Sequence, residues 1–323
     1  MSVRSFLQRT FHRSGGVALL RLRNAKRNRV LTYHRFQNAA AHSFDEQCAH
    51  LENFYTPVNL DDVVAFLRDG KTLASNSVAI TVDDGYRDFY IRAYPSLKRH
   101  GIQATVFLMT DFVDRRTWPW WDQLHYAFLH TPLPSPVLQI ADGVVLEYAL
   151  LDAASRIEAG ERTAEAMKSV PNARRLELIA RLPELLQVNI PKDAPPPSEP
   201  LSWDEVREMA SHGIGFGAHT KSHPILSSLE SDQQIRDEIE GSRDRIADEL
   251  GRPPMHFSYP NGRRQDIGER IRTMVERAGF QTAVSTESGF NDRATDPYFL
   301  RRISMEPSVP GLYFRQQVAG FRV

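Results

Sequence analysis

Polar residues that could do acid–base or metal chemistry follow several apolar runs of the sequence, at the point where each run ends. These residues are His34 after Val30–Tyr33, Asp83 and Asp84 after Ala79–Val82, His219 after Ile214–Ala218, and Tyr259 after His256–Ser258. In barrels of parallel strands, the loops at the carboxyl ends converge on one mouth, where active sites are built. The placement therefore predicts one catalytic rim, because a chance scatter would not favour the same end of every run.

Asp83 and Asp84 are adjacent acids, and successive residues at the end of a strand point to opposite sides. One carboxylate can then face a metal ion while the other faces a reacting water as a general base. Asp-Asp-Gly is also common turn chemistry. A surface turn ending at Gly85 is therefore the alternative interpretation.

His219 and His223 have the i, i+4 spacing with which two imidazoles can bind one zinc ion. The chain has eleven histidines, so the spacing alone is a weak signal, and two solvated surface histidines are the alternative. Two His and one Asp form the three-ligand set of a catalytic zinc site that keeps a position open for water, and Asp84 is the candidate third ligand. The single cysteine, Cys48, excludes an internal disulfide and a thiolate-based zinc site.

The elements that must position these residues follow from the hydrophobic pattern. Short apolar runs alternate with amphipathic helical stretches, which is typical of a parallel α/β architecture. The seven predicted strands are Val30–Tyr33, Val78–Val82, Ala104–Met109, Ile214–Ala218, His256–Tyr259, Thr282–Ser285 and Phe299–Ser304. The predicted helices are Leu60–Arg68, Phe89–Arg99, the segment between Ser231 and Gly251, and Asp266–Ala278.

Residues 114–200 break this alternation, and we interpret them as a large insertion between the third and fourth strands. Within them, Asp142-Gly143 between two apolar runs predicts a hairpin over Val137–Tyr148. The insertion opens with Trp118, Trp120 and Trp121. Aromatic faces stack on sugar rings, so a substrate platform or lid is one interpretation, and burial of the insertion against the barrel is the other.

Charge composition limits the partners of the chain. Forty Lys and Arg balance forty Asp and Glu, which argues against bulk nucleic-acid binding. No apolar run approaches the roughly 20 residues of a membrane-spanning helix, and Val17–Leu20 is too short for a signal-peptide core. We therefore expect a cytoplasmic protein. Residues 1–29 are basic and contain no acid, so they are either a segment for peripheral membrane contact or a solvated leading segment.

Four motifs in this order resemble the polysaccharide deacetylases of carbohydrate esterase family 4, which include the nodulation-type chitooligosaccharide deacetylases. Thr81–Gly85 is similar to the family's Thr-Phe-Asp-Asp-Gly, with Val82 in the place of the aromatic residue, and His219–Pro224 is similar to its His-(Ser/Thr)-x-x-His-Pro. Phe257–Gly262 resembles its Tyr-Pro segment. Leu31–His34 resembles the motif with the catalytic histidine of permuted members, in which this motif comes first. The resemblance covers about residues 30–113 and 200–305, and the family implies a distorted (β/α)7 barrel.

The resemblance also implies a role for each matched residue. Asp84, His219 and His223 would bind zinc, or cobalt or nickel in its place, and Asp83 would act as the general base toward the attacking water. His34 would be the general acid. The backbone N–H at Tyr259 would stabilise the oxyanion. An arginine usually supports the base. Arg302 is favoured for this role over Arg252, which precedes Pro253-Pro254 and would lie at the wrong end of the strand.

The expected activity is therefore the metal-dependent hydrolysis of N-acetyl groups on an N-acetylated saccharide, in the metabolism of an exopolysaccharide or a lipid-linked glycan. Two alternatives stay open. One is an amidohydrolase acting on a non-sugar C–N bond, since a fold does not name its substrate. The other is a non-catalytic glycan-binding relative that keeps the barrel.

Overall fold

A computed structural model describes residues 15–37 and 40–321 of the chain. The strands in chain order are β1 (Arg29–Tyr33), β2 (Thr56–Pro57), β3 (Ser77–Val82), β4 (Ala104–Leu108), β5 (Val137–Ala141), β6 (Val144–Glu147), β7 (Gly215–Ala218), β8 (His256–Ser258), β9 (Thr282–Ser288) and β10 (Leu300–Ser304). The α-helices are α1 (Gly16–Arg23), α2 (Ala40–Phe54), α3 (Leu60–Arg68), α4 (Tyr94–Arg99), α5 (Thr110–Val113), α6 (Trp120–His130), α7 (Ala153–Met167), α8 (Asn172–Leu185), α9 (Trp203–Ser211), α10 (Asp232–Leu250), α11 (Arg264–Arg277) and α12 (Gly311–Ala319).

Seven parallel strands close into a barrel in the order β1-β10-β9-β8-β7-β4-β3, and β3 pairs back onto β1. The closing register sets Val30 opposite Ala79 and Tyr33 opposite Val82. The two-residue strand β2 adds to β3 outside the closed ring. All seven predicted strands are confirmed, and so is the (β/α)7 barrel.

The barrel strands are apolar on both faces because helices cover the outside of the ring and side chains fill its interior. All residues of β1, β3 and β4 are buried, and Leu31, Ile80 and Val106 belong to one continuous core cluster. This burial fixes the register of the strands, since a slip by one residue would turn every side chain to the other face. The residues that follow the strands are therefore held at defined positions on the rim.

Local sequence signals set several helix ends. The Ser231 side chain accepts from the Gln234 amide in a capping box, and α10 ends at Gly251 with φ +71°. Helix α3 matches its predicted bounds. The predicted helix Phe89–Arg99 is a π-helical turn over Phe89–Ala93 followed by α4. The helices α2, α9 and α12 were not predicted.

Residues between α5 and α9 form a separate layer on the barrel. The predicted hairpin is confirmed as the antiparallel pair β5–β6. Together with α6, α7 and α8 it surrounds its own hydrophobic cluster, which includes Trp120. A second small cluster, of Tyr86, Met109, Phe112 and Trp118, lies where this layer meets the barrel. Trp118 and Trp120 are thus buried, as the packing alternative for the insertion expects.

The amino-terminal segment joins the barrel at Arg29, the first residue of β1. Its side chain is fully buried, and Nε donates to the Val318 carbonyl over 2.8 Å. The guanidinium lies against the rings of Tyr55 and Phe290, at 5.1 and 5.0 Å from their centroids. Residues 1–14 of the predicted basic segment lie outside the described residues. Within the described part of the chain, no helix is both long enough and apolar enough to span a bilayer.

Candidate active site

An open cleft of about 650 Å³ lies at the carboxyl ends of the barrel strands. The predicted site residues that line it are His34, Asp83, Asp84, His219, His223 and Tyr259. Arg302 lies beneath the cleft floor and is fully buried. The single rim that the sequence pattern predicts is therefore where the fold brings these residues together.

Asp83 and Arg302 form a bidentate ion pair in the floor of the cleft. Nη1 and Nη2 of Arg302 donate to Oδ1 and Oδ2 of Asp83 over 2.8 and 2.7 Å. The Ser258 hydroxyl adds a weaker bond to Oδ2 at 3.3 Å. Burial alone would raise the pKa of Asp83, but the charge and hydrogen bonds of Arg302, together with His219 and His34, outweigh it and hold this pKa well below its usual range. Asp83 is thus an ionised carboxylate in a place where water is largely excluded.

Arg302 is itself fixed by contacts to two other barrel strands, β9 and β3. Its Nε donates to the Ser285 carbonyl over 2.8 Å, and Nη1 lies 3.3 Å from the Thr81 hydroxyl. Arg252, by contrast, is exposed and lies close to Asp61, whose pKa is lowered by its bond to His256 and also by Arg252. His256 is the first residue of β8, so Arg252 lies at the end of the barrel away from the cleft.

Asp84, His219 and His223 form a compact group beside Asp83. One ligand atom from each lies within 4.8 Å of the other two, and all three residues are buried. Nε2 of His219 is 3.5 Å and Nε2 of His223 is 3.8 Å from Oδ1 of Asp84. Asp84 and His223 both have positive φ, +77° and +57°, which turns their side chains inward to a common point.

The donor set suits a divalent cation of the zinc type. Two imidazoles and one carboxylate are its usual catalytic ligands. The Ser258 carbonyl lies 2.7 Å from Nδ1 of His219, which holds a proton on Nδ1 and leaves Nε2 as the atom available to a cation shared with Asp84. Burial and the neighbouring His219 lower the pKa of His223 to about 3, so His223 is neutral and able to donate to a cation.

His34 also lies beside Asp83, at the edge of the cleft. Its side chain is 45% exposed, and Nε2 is 3.8 Å from Oδ2 of Asp83. The separation is beyond hydrogen-bond distance and leaves the imidazole open to the cleft. A proton on His34 can therefore reach a bound molecule rather than being held in the protein interior.

Tyr259 reaches the cleft mainly through its backbone. Its hydroxyl donates to the Tyr298 carbonyl over 3.0 Å, away from the rim. Its N–H lies 3.3 Å from the Val284 carbonyl, which makes a long sheet bond. An oxyanion at this N–H would compete with that bond.

A comparison with protein families finds the polysaccharide deacetylase model matching residues 70–283. The chain belongs to this family. The matched range contains Asp83, Asp84, His219, His223 and Tyr259, whereas His34 and Arg302 lie outside it.

Relatives and solved structures of deacetylases resemble this family member over different lengths. YxkH of Bacillus subtilis (strain 168), whose name assigns it to the polysaccharide deacetylases, is 23% identical over 263 residues, and the match spans 81% of this chain and 63% of YxkH. The poly-β-1,6-N-acetyl-D-glucosamine N-deacetylase of Escherichia coli (strain K12) is 40% identical over 65 residues, which is 20% of this chain and 10% of that protein.

Among solved structures, the Streptococcus pyogenes deacetylase PplD in complex with acetate superposes with a TM-score of 0.60 at 18% identity, covering 91% of this chain and 98% of PplD. IcaB from Ammonifex degensii gives 0.59 at 17% identity, covering 92% and 97%. At these identities the likeness shows the shared fold.

One wall of this family member's cleft comes from the insertion. Of the three tryptophans that could form a substrate platform, Trp120 and Trp121 line the cleft, whereas Arg35, Tyr86 and Asp122, which also line it, were not predicted. The Trp121 ring meets the His223 ring edge-on, with 4.6 Å between centroids, and its Nε1 donates to the Tyr86 hydroxyl over 3.1 Å. That hydroxyl donates to Oδ2 of Asp122 over 2.9 Å. The Arg35 guanidinium lies 3.9 Å above the Tyr86 ring. Their positions in the sequence could have indicated two of these residues. Tyr86 directly follows the Thr81–Gly85 motif, and Arg35 directly follows the Leu31–His34 motif.

Asp122 differs electrostatically from the other carboxylates of the cleft. Nη1 of Arg35 is 3.6 Å from its Oδ2, too long for a hydrogen bond, while Arg35 Nε bonds Asp88 at 3.0 Å instead. Burial therefore dominates and raises the pKa of Asp122.

Proposed function

We propose that this chain is a metal-dependent deacetylase that hydrolyses the N-acetyl group of an N-acetylated saccharide, with water as the nucleophile. The observation that carries the proposal is the juxtaposition of Asp83, ionised by its bidentate pair with Arg302, with the buried ligand group Asp84, His219 and His223 in one cleft. An acid–base carboxylate beside a three-ligand cation site is the arrangement that hydrolysis of an unactivated amide requires.

Asp84, His219 and His223 would hold the cation, which we take to be zinc, with cobalt or nickel able to replace it. When bound, such a cation polarises the amide carbonyl and lowers the pKa of water toward 7. The three protein ligands leave a coordination position free for substrate or water.

Asp83 accepts the proton that the attacking water loses. Arg302 keeps the Asp83 carboxylate ionised and holds it at the floor of the cleft, so the base can accept a proton at neutral pH. The water oxygen forms a bond to the carbonyl carbon, and the C–N bond then breaks. His34, exposed to the cleft beside Asp83, donates the proton that the departing amine needs. The products are acetate and a sugar amine.

The negative charge that develops on the carbonyl oxygen needs a donor on the rim. We assign this role to the Tyr259 N–H, whose bond to the Val284 carbonyl is long enough to be exchanged for a bond to an oxyanion.

The substrate class follows from the shape of the cleft and from the relatives. The cleft is open rather than enclosed and has the indole of Trp121 beside the ligand group, which suits a sugar ring of a longer chain. The E. coli relative with 40% local identity is named as acting on poly-β-1,6-N-acetyl-D-glucosamine. We therefore propose an N-acetylglucosamine polymer as the substrate.

Acetate release from β-1,6-linked N-acetylglucosamine oligomers, measured with zinc-loaded protein, tests the proposal. We expect release by the wild type, none above background by D83N with its zinc content intact, and none by H223A with its zinc lost. Zinc binding together with hydrolysis of only non-sugar amides would favour the amidohydrolase alternative. Oligomer binding without hydrolysis under zinc, cobalt or nickel would favour a glycan-binding protein.

A further inference from the structure

The loop that carries the two histidines, residues 219–224, has a backbone that its own sequence does not favour. Thr220 has φ +63° and His223 has φ +57°, and neither is a glycine. A left-handed conformation costs an ordinary residue about 1–2 kcal/mol. Such a conformation persists only where surrounding contacts impose it. Something outside the loop must therefore hold it.

Part of the restraint comes from α5 and from within the loop. The amides of Thr110 and Asp111 donate to the carbonyls of Thr220 and Lys221, over 3.2 and 3.0 Å. The His223 amide donates to the Thr220 hydroxyl over 3.0 Å. These bonds fix two loop carbonyls and the His223 amide, but none of them involves the amides of Lys221 and Ser222.

The Glu238 carboxylate, on α10, accepts hydrogen bonds from those two amides and from a hydroxyl. Its Oε2 accepts from the amides of Lys221 and Ser222 over 2.8 and 2.9 Å, and Oε1 accepts from the Ser222 hydroxyl over 2.6 Å. All three bonds use the carboxylate as acceptor, so one side chain fixes the two residues immediately before His223.

We propose that Glu238 is a positioning residue of the cation site: it sets the backbone of the loop so that His223 presents Nε2 to the point shared with His219 and Asp84. The inference rests on the proposed function, because it takes these three residues as the ligands. Glu238 acts through the loop and does not touch the reacting atoms.

Substitutions at Glu238 separate its hydrogen bonds from its charge. Glutamine keeps an oxygen that can accept both amides, and its NH2 group can donate to the Ser222 hydroxyl in a reversed bond. Alanine loses all three bonds. Ser242 lies one turn further along α10 and is buried. Its hydroxyl donates to the Ile239 carbonyl of the same helix over 2.9 Å, so S242A is a matched control for the loss of a buried hydrogen bond.

The experiment is a titration of the metal-free full-length chain with Zn²⁺ against a competing chelator. Loss of groups that orient a metal ligand typically costs about 10- to 100-fold in metal affinity, and we expect E238A to fall in that range. E238Q should stay within about 3-fold of the wild type, and S242A should bind zinc as the wild type does. Urea unfolding of each variant, measured without metal, separates affinity from stability.

Wild-type zinc affinity in E238A would overturn the inference and leave the proposed function standing. Equal weakening by E238A and S242A would also overturn it, because general destabilisation would then be the cause. If E238A does not fold, S222A removes only the hydroxyl bond and should weaken zinc binding by a smaller factor, and an unchanged affinity there counts against Glu238. A wild type that binds no zinc, cobalt or nickel would overturn both proposals.

Discussion

Asp83, which is buried, and Asp122, whose side chain is 11% exposed, line the same cleft, each beside one arginine, and their pKa values shift in opposite directions. Asp83 receives two bonds from Arg302 at 2.7 and 2.8 Å, and its pKa is lowered. Asp122 has Arg35 at 3.6 Å, and its pKa is raised by burial. The two hydrogen bonds from Arg302 help to lower the pKa of Asp83, whereas the Arg35 guanidinium, which makes no hydrogen bond to Asp122, does not offset the effect of burial there.

The difference follows from where each acid is built. Asp83 follows β3 and Arg302 lies in β10, the two strands that flank β1 in one closed barrel, whose core fixes both backbones. Asp122 belongs to α6 of the insertion, which has a separate hydrophobic cluster, and it meets Arg35 only where the two regions pack together. The barrel thus supplies the ionised base, and the insertion supplies a wall in which the acid and its arginine are not hydrogen-bonded to each other.

The strongest test of the comparison is R302M, which leaves Asp83 buried without its partner. Breaking a buried pair in this way costs about 3–5 kcal/mol, so we expect a loss of that size in the free energy of unfolding, measured in urea. Acetate release should fall with it, since the base loses its ionised form.

The matched variant for the insertion is R35M. It should cost less stability than R302M, because Arg35 is partly exposed and makes no hydrogen bond to Asp122, although its bonds to Asp88 and to the Pro197 carbonyl are lost as well. The double variant R302M/D83N should recover part of the stability lost in R302M without recovering activity. Equal losses in R302M and R35M would remove the distinction between the two acids.

Two adjacent tryptophans test the difference between a residue of the insertion's hydrophobic cluster, Trp120, and a residue of the cleft wall, Trp121. Trp120 belongs to the insertion's own cluster, so W120A should lower the free energy of unfolding by about 3–5 kcal/mol. Trp121 is only partly buried and packs on His223, so W121A should cost less stability. It should lower kcat/KM for oligosaccharides by about 5-fold, through loss of an aromatic contact worth roughly 1 kcal/mol. Unchanged turnover on every oligomer length in W121A would exclude a role for this indole in substrate binding.

The smallest effect is the pH dependence of stability, for which D83N and D122N should have opposite signs. The folded-state pKa of Asp83 lies below the unfolded value of about 3.9, so its stabilisation is present above that pH and is lost as the pH falls below it. The folded-state pKa of Asp122 lies above its unfolded value, so Asp122 lowers stability as the pH rises from about 4.

Urea unfolding of chelator-treated protein between about pH 3 and pH 7 measures this difference. Relative to the wild type, D83N should become less stable as the pH rises from the acid end, whereas D122N should gain relative stability as the pH rises from about 4. If the stability of the two variants relative to the wild type changed with pH in the same direction, the hydrogen bonds to arginine would not explain the difference in pKa between these two carboxyls.

Much of the barrel and its rim could be predicted from the sequence, because both depend on local pattern. Continuous apolar runs such as Val78–Val82 read as buried parallel strands, and their carboxyl ends mark one face of the barrel. The capping box at Ser231 and the turn at Asp142-Gly143 are likewise local signals that the structure confirms. Helix α2 was missed, and the helix predicted over Phe89–Arg99 is divided into a π-helical turn and α4, since packing against the barrel rather than a strong end signal decides both features.

Sequence alone determined which residue types stand at the ends of the strands, and hence the candidates His34, Asp83, Asp84, His219 and His223. Tertiary structure decided how they are paired. Arg302 meets Asp83 across 219 positions of the chain, and Trp121 meets His223 across the boundary between insertion and barrel. Such contacts depend on strand closure and on the docking of two hydrophobic cores. Hydrophobic periodicity specifies burial but not which buried side chains will face one another.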